Sequence, residues 1–202
     1  MGESAAERRE RLIDVYREVE ACGKCPLAET RSKTVFGAGN ANADLIFVGE
    51  APGAEEDRQG LPFVGRAGQL LGTLLGEVGL SREDVFITNV IKSRPPGNRD
   101  PRPEEIEACS PYLHRQVELI EPTVVATLGN FATKLLTGDP TGITRVRGRP
   151  QTHTLGTRTV SIFPILHPAA ALRNPSLEET MRADFAALRK LIDGPRPERG
   201  PG

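Results

Sequence analysis

The stretch Leu45–Gly65, LIFVGEAPGAEEDRQGLPFVG, decides how the rest of the chain is read. Its first residues are uniformly apolar, the pattern of a strand buried on both faces. The run stops at a Gly/Pro loop, and such a stop marks the carboxyl edge of an α/β sheet, where ligands bind. The loop is neither a G-x-G-x-x-G fingerprint nor a phosphate loop ending in Gly-Lys-Ser/Thr. Its acidic residues, Glu50, Glu55, Glu56 and Asp57, would repel phosphate. Those carboxylates could hold a metal or form a solvated acidic turn. Pro62 and Phe63 weigh against the turn, because they are an apolar pair returning toward a pocket.

Outward from this stretch, strands and helices alternate. Helical spacing runs over 4–20, 66–78, 103–120, 130–138 and 177–192, and strands over 43–49, 85–91 and 123–129. Residues 149–154 and 157–163 read as a hairpin, and SIFPIL ends the sheet. Pro103 suits a first helical position, with Glu104 and Glu105 near the positive end of the helix dipole. The expected fold is α/β: a three-layer α/β/α domain over 1–192 around a central, mostly parallel four-stranded sheet. The Pro/Gly-rich tail, 193–202, is expected to be disordered.

The chain has 202 residues, 38% of them hydrophobic, and a formal net charge of -1. No apolar run approaches the roughly 18 residues of a membrane span. The charged, helix-periodic N-terminus has no signal-peptide core, so a cytoplasmic protein is expected. Three cysteines, Cys22, Cys25 and Cys109, are an odd set for a disulfide framework. A C-x-x-C pair in a cytosolic chain favours metal or redox chemistry. Overall neutrality hides local basic groups: Lys92, Arg94, Arg99 and Arg102; Arg145, Arg147 and Arg149; and Arg173.

Two polar residues stand at other strand ends. Asn89 closes an apolar strand, where its amide must find partners. It could satisfy a neighbouring loop, or offer a donor and an acceptor to a pyrimidine edge. His167 follows the apolar run Phe163–Leu166; the other histidines fall in a helix (His114) and in the hairpin (His153). A structural and a catalytic role are both open for it.

Three separated motifs, GEAPGAEEDRQGLPFVGRAGQLL, FITNVIKSRPPGNRDPRPEE and LHPAAALRNP, resemble the family 4 uracil-DNA glycosylases, the bacterial and archaeal iron–sulfur type. The resemblance covers roughly 20–190 and implies excision of flipped-out uracil from DNA in base-excision repair. It implies that the backbone from Gly49 through Ala51 to Gly53 holds uracil and the attacking water. It implies that Phe63 stacks on the base, Asn89 reads its edge and His167 stabilises the departing oxygen. Glu56 matches an acidic side chain that crowds C5 against thymine, and Glu50 stands where a related family has a water-positioning aspartate. Lys92, Arg94, Arg99, Arg147 and Arg173 are expected to contact DNA phosphates, with Leu172 as a wedge into the vacated stack. A superfamily branch that traps its substrate carries an extra His-containing loop; EEDRQGLPF has neither insertion nor histidine, so turnover is expected. A non-catalytic iron–sulfur accessory protein is the remaining alternative. A monomer is expected, since single-site repair needs no second subunit.

The family holds a [4Fe–4S] cluster with four cysteines. Cys22, Cys25 and Cys109 fit three positions, and Ser93 stands at the fourth. Serine is a harder, far less acidic ligand than thiol. The resemblance therefore leaves three states open: a cluster with Ser93 or another group on one iron, a three-iron form, or a poorly filled site.

Overall fold

The structure, a computed structural model, describes residues 3–194. The expected disordered tail lies outside these residues beyond Gly194, while Asp193 is the last residue of a helix. In chain order the elements are α1 (Ala5–Glu20), α2 (Leu27–Thr30), β1 (Ala38–Gly39), β2 (Leu45–Gly49), α3 (Ala54–Gln59) and α4 (Arg66–Glu77). They continue with β3 (Phe86–Asn89), α5 (Pro103–Ile120), β4 (Val124–Leu128), α6 (Asn130–Thr137) and α7 (Ile143–Val146). The chain closes with β5 (Gln151–Leu155), β6 (Arg158–Ile165), α8 (Pro168–Arg173) and α9 (Leu177–Asp193).

The sheet has six strands in the order β1-β3-β2-β4-β6-β5, not the four expected. The four central strands are parallel, and both edges are antiparallel. The expected hairpin is β5 with β6, and the edge strand that was not foreseen is β1. β1 is only two residues long, too short for any periodic signal. β5 was legible as half of a hairpin, but its QTHTL is only partly buried and carries no core-strand pattern.

β2 shows why the sheet is a middle layer. All five residues are buried, and successive side chains point to opposite faces. Ile46 and Val48 join Val15 and Val19 of α1 and Leu113 and Val117 of α5. Leu45 and Phe47 join Leu71 and Leu74 of α4 and Phe185 and Leu188 of α9, where Phe47 stacks on Phe185 at 5.8 Å. Pro164 sits within β6, yet β5 pairs only as far as Ile162, so its missing N–H breaks no ladder. No helix among the described residues is long and apolar enough to cross a membrane.

The chain leaves β2 toward β3 on one side, while β4 leads to β6 on the other. The crevice beyond the carboxyl ends of β2 and β4 is therefore the switch point where such sheets place a ligand.

Candidate active site

A cavity of about 760 Å³ opens at that switch point. Each parallel strand delivers residues to it: Glu50–Gly53 after β2, Asn89 ending β3, Gly129–Phe131 after β4 and His167 after β6. Phe63 and Glu56 also line it, as do Asn98–Asp100 of the proline-rich loop.

Gly49 explains the spacing at the pocket floor. A Cβ there would overlap Asn89 Oδ1 and lie 2.8 Å from Phe63 Cζ. Only glycine lets the asparagine amide and the aromatic ring face the same space. Asn89 is 2% exposed, and its Oδ1 is a buried oxygen with no hydrogen-bond partner. Leaving such an acceptor empty costs about 1–3 kcal/mol. It is aimed at a pocket, and a ligand donor would satisfy it.

Phe63 holds a left-handed backbone, φ 51°, which costs a non-glycine residue about 1–3 kcal/mol and persists only where surroundings impose it. Arg82 donates to the Phe63 oxygen at 3.1 Å and to the Pro62 oxygen at 2.7 Å. Glu56 Oε1 accepts the N–H groups of Val64 and Gly65, both at 3.0 Å. Gly68 leaves room for the Phe63 carbonyl, which any Cβ there would strike. The ring is pinned with its centroid 5.7 Å from the His167 imidazole.

His167 is the N-cap of α8, and its Nδ1 accepts the Ala169 N–H at 3.1 Å. That bond puts the ring proton on Nε2, leaving an N–H donor for the pocket. Burial, followed by the Arg173 cation, pushes its pKa down to about 4, with Glu56 opposing. The ring is a neutral donor at neutral pH. Burial first, then Asp100, raises the Glu50 pKa above the usual carboxylate value.

The expected DNA-contact residues do not form one surface. Lys92 is a correction: it is 1% exposed, and its Nζ is bonded inside the fold, so it cannot reach a phosphate. A lysine in a loop sequence reads as a surface cation, and only the packing of Thr88 and Gln116 around it says otherwise. Burial pushes its pKa down to about 7, with Cys109 opposing. Arg147 is tied to Asp184 at 3.0 Å, and Arg99 forks onto Glu105 at 2.6 and 2.9 Å. Arg94 bonds Asn98 Oδ1 at 2.7 Å. Arg173 is exposed on the cavity wall, and Leu172 is half-buried on the same short helix. Phe131 and the exposed Lys134 also line the cavity and were missed. The end of β4, ATLGN, was legible as a strand end, so the rule that found the other three strand ends reaches them too.

The cysteines gather beside the segment that follows β3. Cys22 and Cys25 pack against the core cluster that contains Cys109, and both are close enough to raise the Cys109 pKa, already raised by burial. Lys92 N donates to Cys109 Sγ at 3.3 Å. Ser93 is buried, and its Oγ accepts from Arg31 at 3.2 Å while Arg31 also donates to the Cys22 oxygen at 2.7 Å. Among the described residues no three His, Cys, Asp or Glu side chains are drawn into a metal-binding group. The donor set still suits a soft-metal cluster at three positions. Ser93, engaged by a guanidinium, is the poor one.

A family model described as the uracil DNA glycosylase superfamily matches residues 36–191. A type-4 uracil-DNA glycosylase of Archaeoglobus fulgidus is 46% identical to the chain, covering 93% of it and 96% of the relative. Type-4 uracil-DNA glycosylases of Saccharolobus solfataricus and Thermotoga maritima are each 47% identical, over 87% and 84% of the chain and 83% and 88% of the relatives.

Proposed function

The chain belongs to the uracil-DNA glycosylase superfamily and, within it, to the type-4 enzymes, and from that membership we propose how its pocket hydrolyses the N-glycosidic bond of uracil in DNA. The observation that carries the reading is the orphaned Asn89 Oδ1. Uracil supplies the missing donor, N3–H, while Asn89 Nδ2 donates to O4. A base inside a duplex cannot reach this depth, so the nucleotide is flipped out of the stack. Phe63 supplies the stacking face, worth about 1–3 kcal/mol per base.

Bond cleavage sends the C1′–N1 electron pair into the uracil ring and leaves the sugar cation-like. The negative charge that develops on uracil O2 is met by the His167 Nε2–H. One such preorganised donor contributes about 2.7–4 kcal/mol. Its neutrality matters, because Nδ1 is committed to the Ala169 N–H and the only ring proton points at the substrate. Water held by Glu50 and the Gly49–Gly53 backbone adds to C1′. Its proton passes to the Glu50 carboxylate, whose raised pKa makes it a better base than an exposed glutamate. Products are free uracil and an abasic site. Glu56, fixed by the Val64 and Gly65 amides, crowds C5 and selects against thymine by about 1–3 kcal/mol, the usual worth of one methyl.

Arg99 and Arg173 on the cavity wall are the proposed phosphate contacts, joined by Lys134 there and by Arg94 of the proline-rich loop, with Leu172 as the wedge. Arg147 is proposed to contact DNA only with the guanidinium face left by Asp184. The protein acts as a monomer in the cytoplasm. Cys22, Cys25 and Cys109 would hold a [4Fe–4S] cluster, with Ser93 at the weak fourth corner. Bound, it would supply a structural cross-link between the α1–α2 segment and α5.

An incision assay on uracil-containing single- and double-stranded oligonucleotides tests the reading. Abasic product is expected, with large losses in Asn89→Ala and His167→Ala. A stable protein–DNA adduct, no product, or full rate in both variants contradicts it.

A further inference from the structure

Lys92 lies where a cation is costly. Its side chain is fully buried, and a buried ammonium is tolerated only when its donors are all bonded. Three acceptors meet its three donors, each at 2.7 Å: Thr88 Oγ1, Gln116 Oε1 and the backbone oxygen of Asn89. Two of these are anchored in turn. Thr88 Oγ1 and Gln116 Nε2 both donate to the Phe36 oxygen at 2.8 Å. The third acceptor belongs to the residue whose side-chain oxygen faces the cavity unpartnered.

Asn89 is the last residue of β3, where the ladder gives out. Its Oδ1 makes no bond in the fold, so the amide's position depends on its backbone. On the β2 side, Val90 N–H donates to the Gly49 oxygen at 2.9 Å. On the α5 side, Lys92 Nζ donates to the Asn89 carbonyl oxygen at 2.7 Å. We propose that Lys92 is a positioning residue for base recognition: it ties the Asn89 backbone to Thr88 and Gln116 and so sets where the Asn89 amide meets uracil. The inference rests on the proposed role of Asn89. It assigns the buried lysine a task within the pocket rather than on the DNA surface.

The test is a double-mutant cycle on the purified full chain, with melting temperature and iron content measured for every variant. Lys92→Met is expected to lower kcat/KM on a uracil oligonucleotide by on the order of tenfold to a hundredfold, the rate equivalent of one buried hydrogen bond. Free uracil should inhibit it more weakly, by a similar factor. Affinity for abasic-site DNA, which has no base to read, should stay within about twofold. On an Asn89→Ala background the same substitution should change kcat/KM by less than about twofold, because its effect runs through Asn89. A full loss on that background, a parallel fall in abasic-site affinity, or no loss in the single variant overturns the proposal. If Lys92→Met does not fold, Thr88→Val removes one acceptor at nearly constant shape. A smaller loss that vanishes on the Asn89→Ala background supports the proposal, and a persistent loss or none overturns it. An unimpaired Asn89→Ala overturns the reading of the pocket itself.

Discussion

Replacing Gly49 with alanine adds one methyl at the floor of the pocket. The new carbon would overlap Asn89 Oδ1, lie 2.8 Å from Phe63 Cζ and 3.0 Å from Phe63 Cε2. Ordinary contact needs several tenths of an ångström more on both sides. Neither neighbour yields freely. Phe63 is clamped by Arg82 and by the Glu56-bound loop, and the Asn89 backbone is held by Lys92. Overpacking of this kind costs about 1–3 kcal/mol. A displaced Asn89 also forfeits its bond to the base, a further 1–3 kcal/mol or so. The overpacking shows in the melt, while the forfeited bond corresponds to a fall in kcat/KM of roughly 5-fold to 150-fold. Steady-state excision from a uracil oligonucleotide measures it, with a thermal melt to separate folding from binding. Abasic-site DNA should bind nearly as well as to wild type, because the atoms nearest the new methyl belong to Asn89 and Phe63, the two residues that face the base. A variant that keeps kcat/KM within about threefold, at unchanged melting temperature, would falsify the claim that Asn89 and Phe63 share the uracil between them.

Gly72→Ala is the opposite case. Gly72 lies inside α4, and an added methyl there would meet nothing within 4 Å, so alanine should stabilise the fold by about 0.5–1 kcal/mol in a denaturant melt and leave excision unchanged. The pH dependence follows from His167, whose folded pKa is depressed from 6.5 to about 4. The unfolded chain takes up this proton first, so the stability concerned is complete above about pH 6.5 and lost as pH falls toward 4, by up to roughly 3 kcal/mol. Melts from pH 7 to pH 4 should therefore show a smaller decline for His167→Gln than for the wild type. Asp100→Asn removes one of the two causes that raise the Glu50 pKa. The acid limb of kcat/KM should move to lower pH, most clearly at low salt. Ser93→Cys supplies a fourth thiol in place of an oxygen bonded to Arg31. Iron content per chain and visible cluster absorbance should rise, and equal iron in the two forms would count against a weak fourth corner.

The candidate site was legible because its residues combine position with an exceptional chemistry. An asparagine ending an all-apolar strand and a histidine after Phe163–Leu166 stand out against their runs. The structure brings both to one cavity with Phe63, whose return was announced by the apolar pair Pro62–Phe63 after the acidic run. The acidic run itself proved to be α3, a helix of six residues carrying Glu55, Glu56 and Asp57 in its first turn, where carboxylates are favoured. Lys92 was misread because its side chain is defined by what surrounds it. Thr88, four positions earlier, and Gln116, on a distant helix, create an acceptor cage that no local pattern announces. The pairing of Arg147 with Asp184 is equally non-local, spanning α7's end and α9. Edge strand β1 failed for a different reason, since two residues cannot show a period.

The most direct test of the central claim is competition by free bases in the excision assay. Uracil carries an N3–H for the orphaned Asn89 oxygen, and 3-methyluracil carries a methyl there instead. Uracil should inhibit at least about tenfold more strongly than 3-methyluracil, since a site built to bond one donor rejects an analogue without it. That preference should disappear in Asn89→Ala. Equal inhibition by the two bases in the wild-type protein, or a preference that survives the loss of Asn89, would contradict the account.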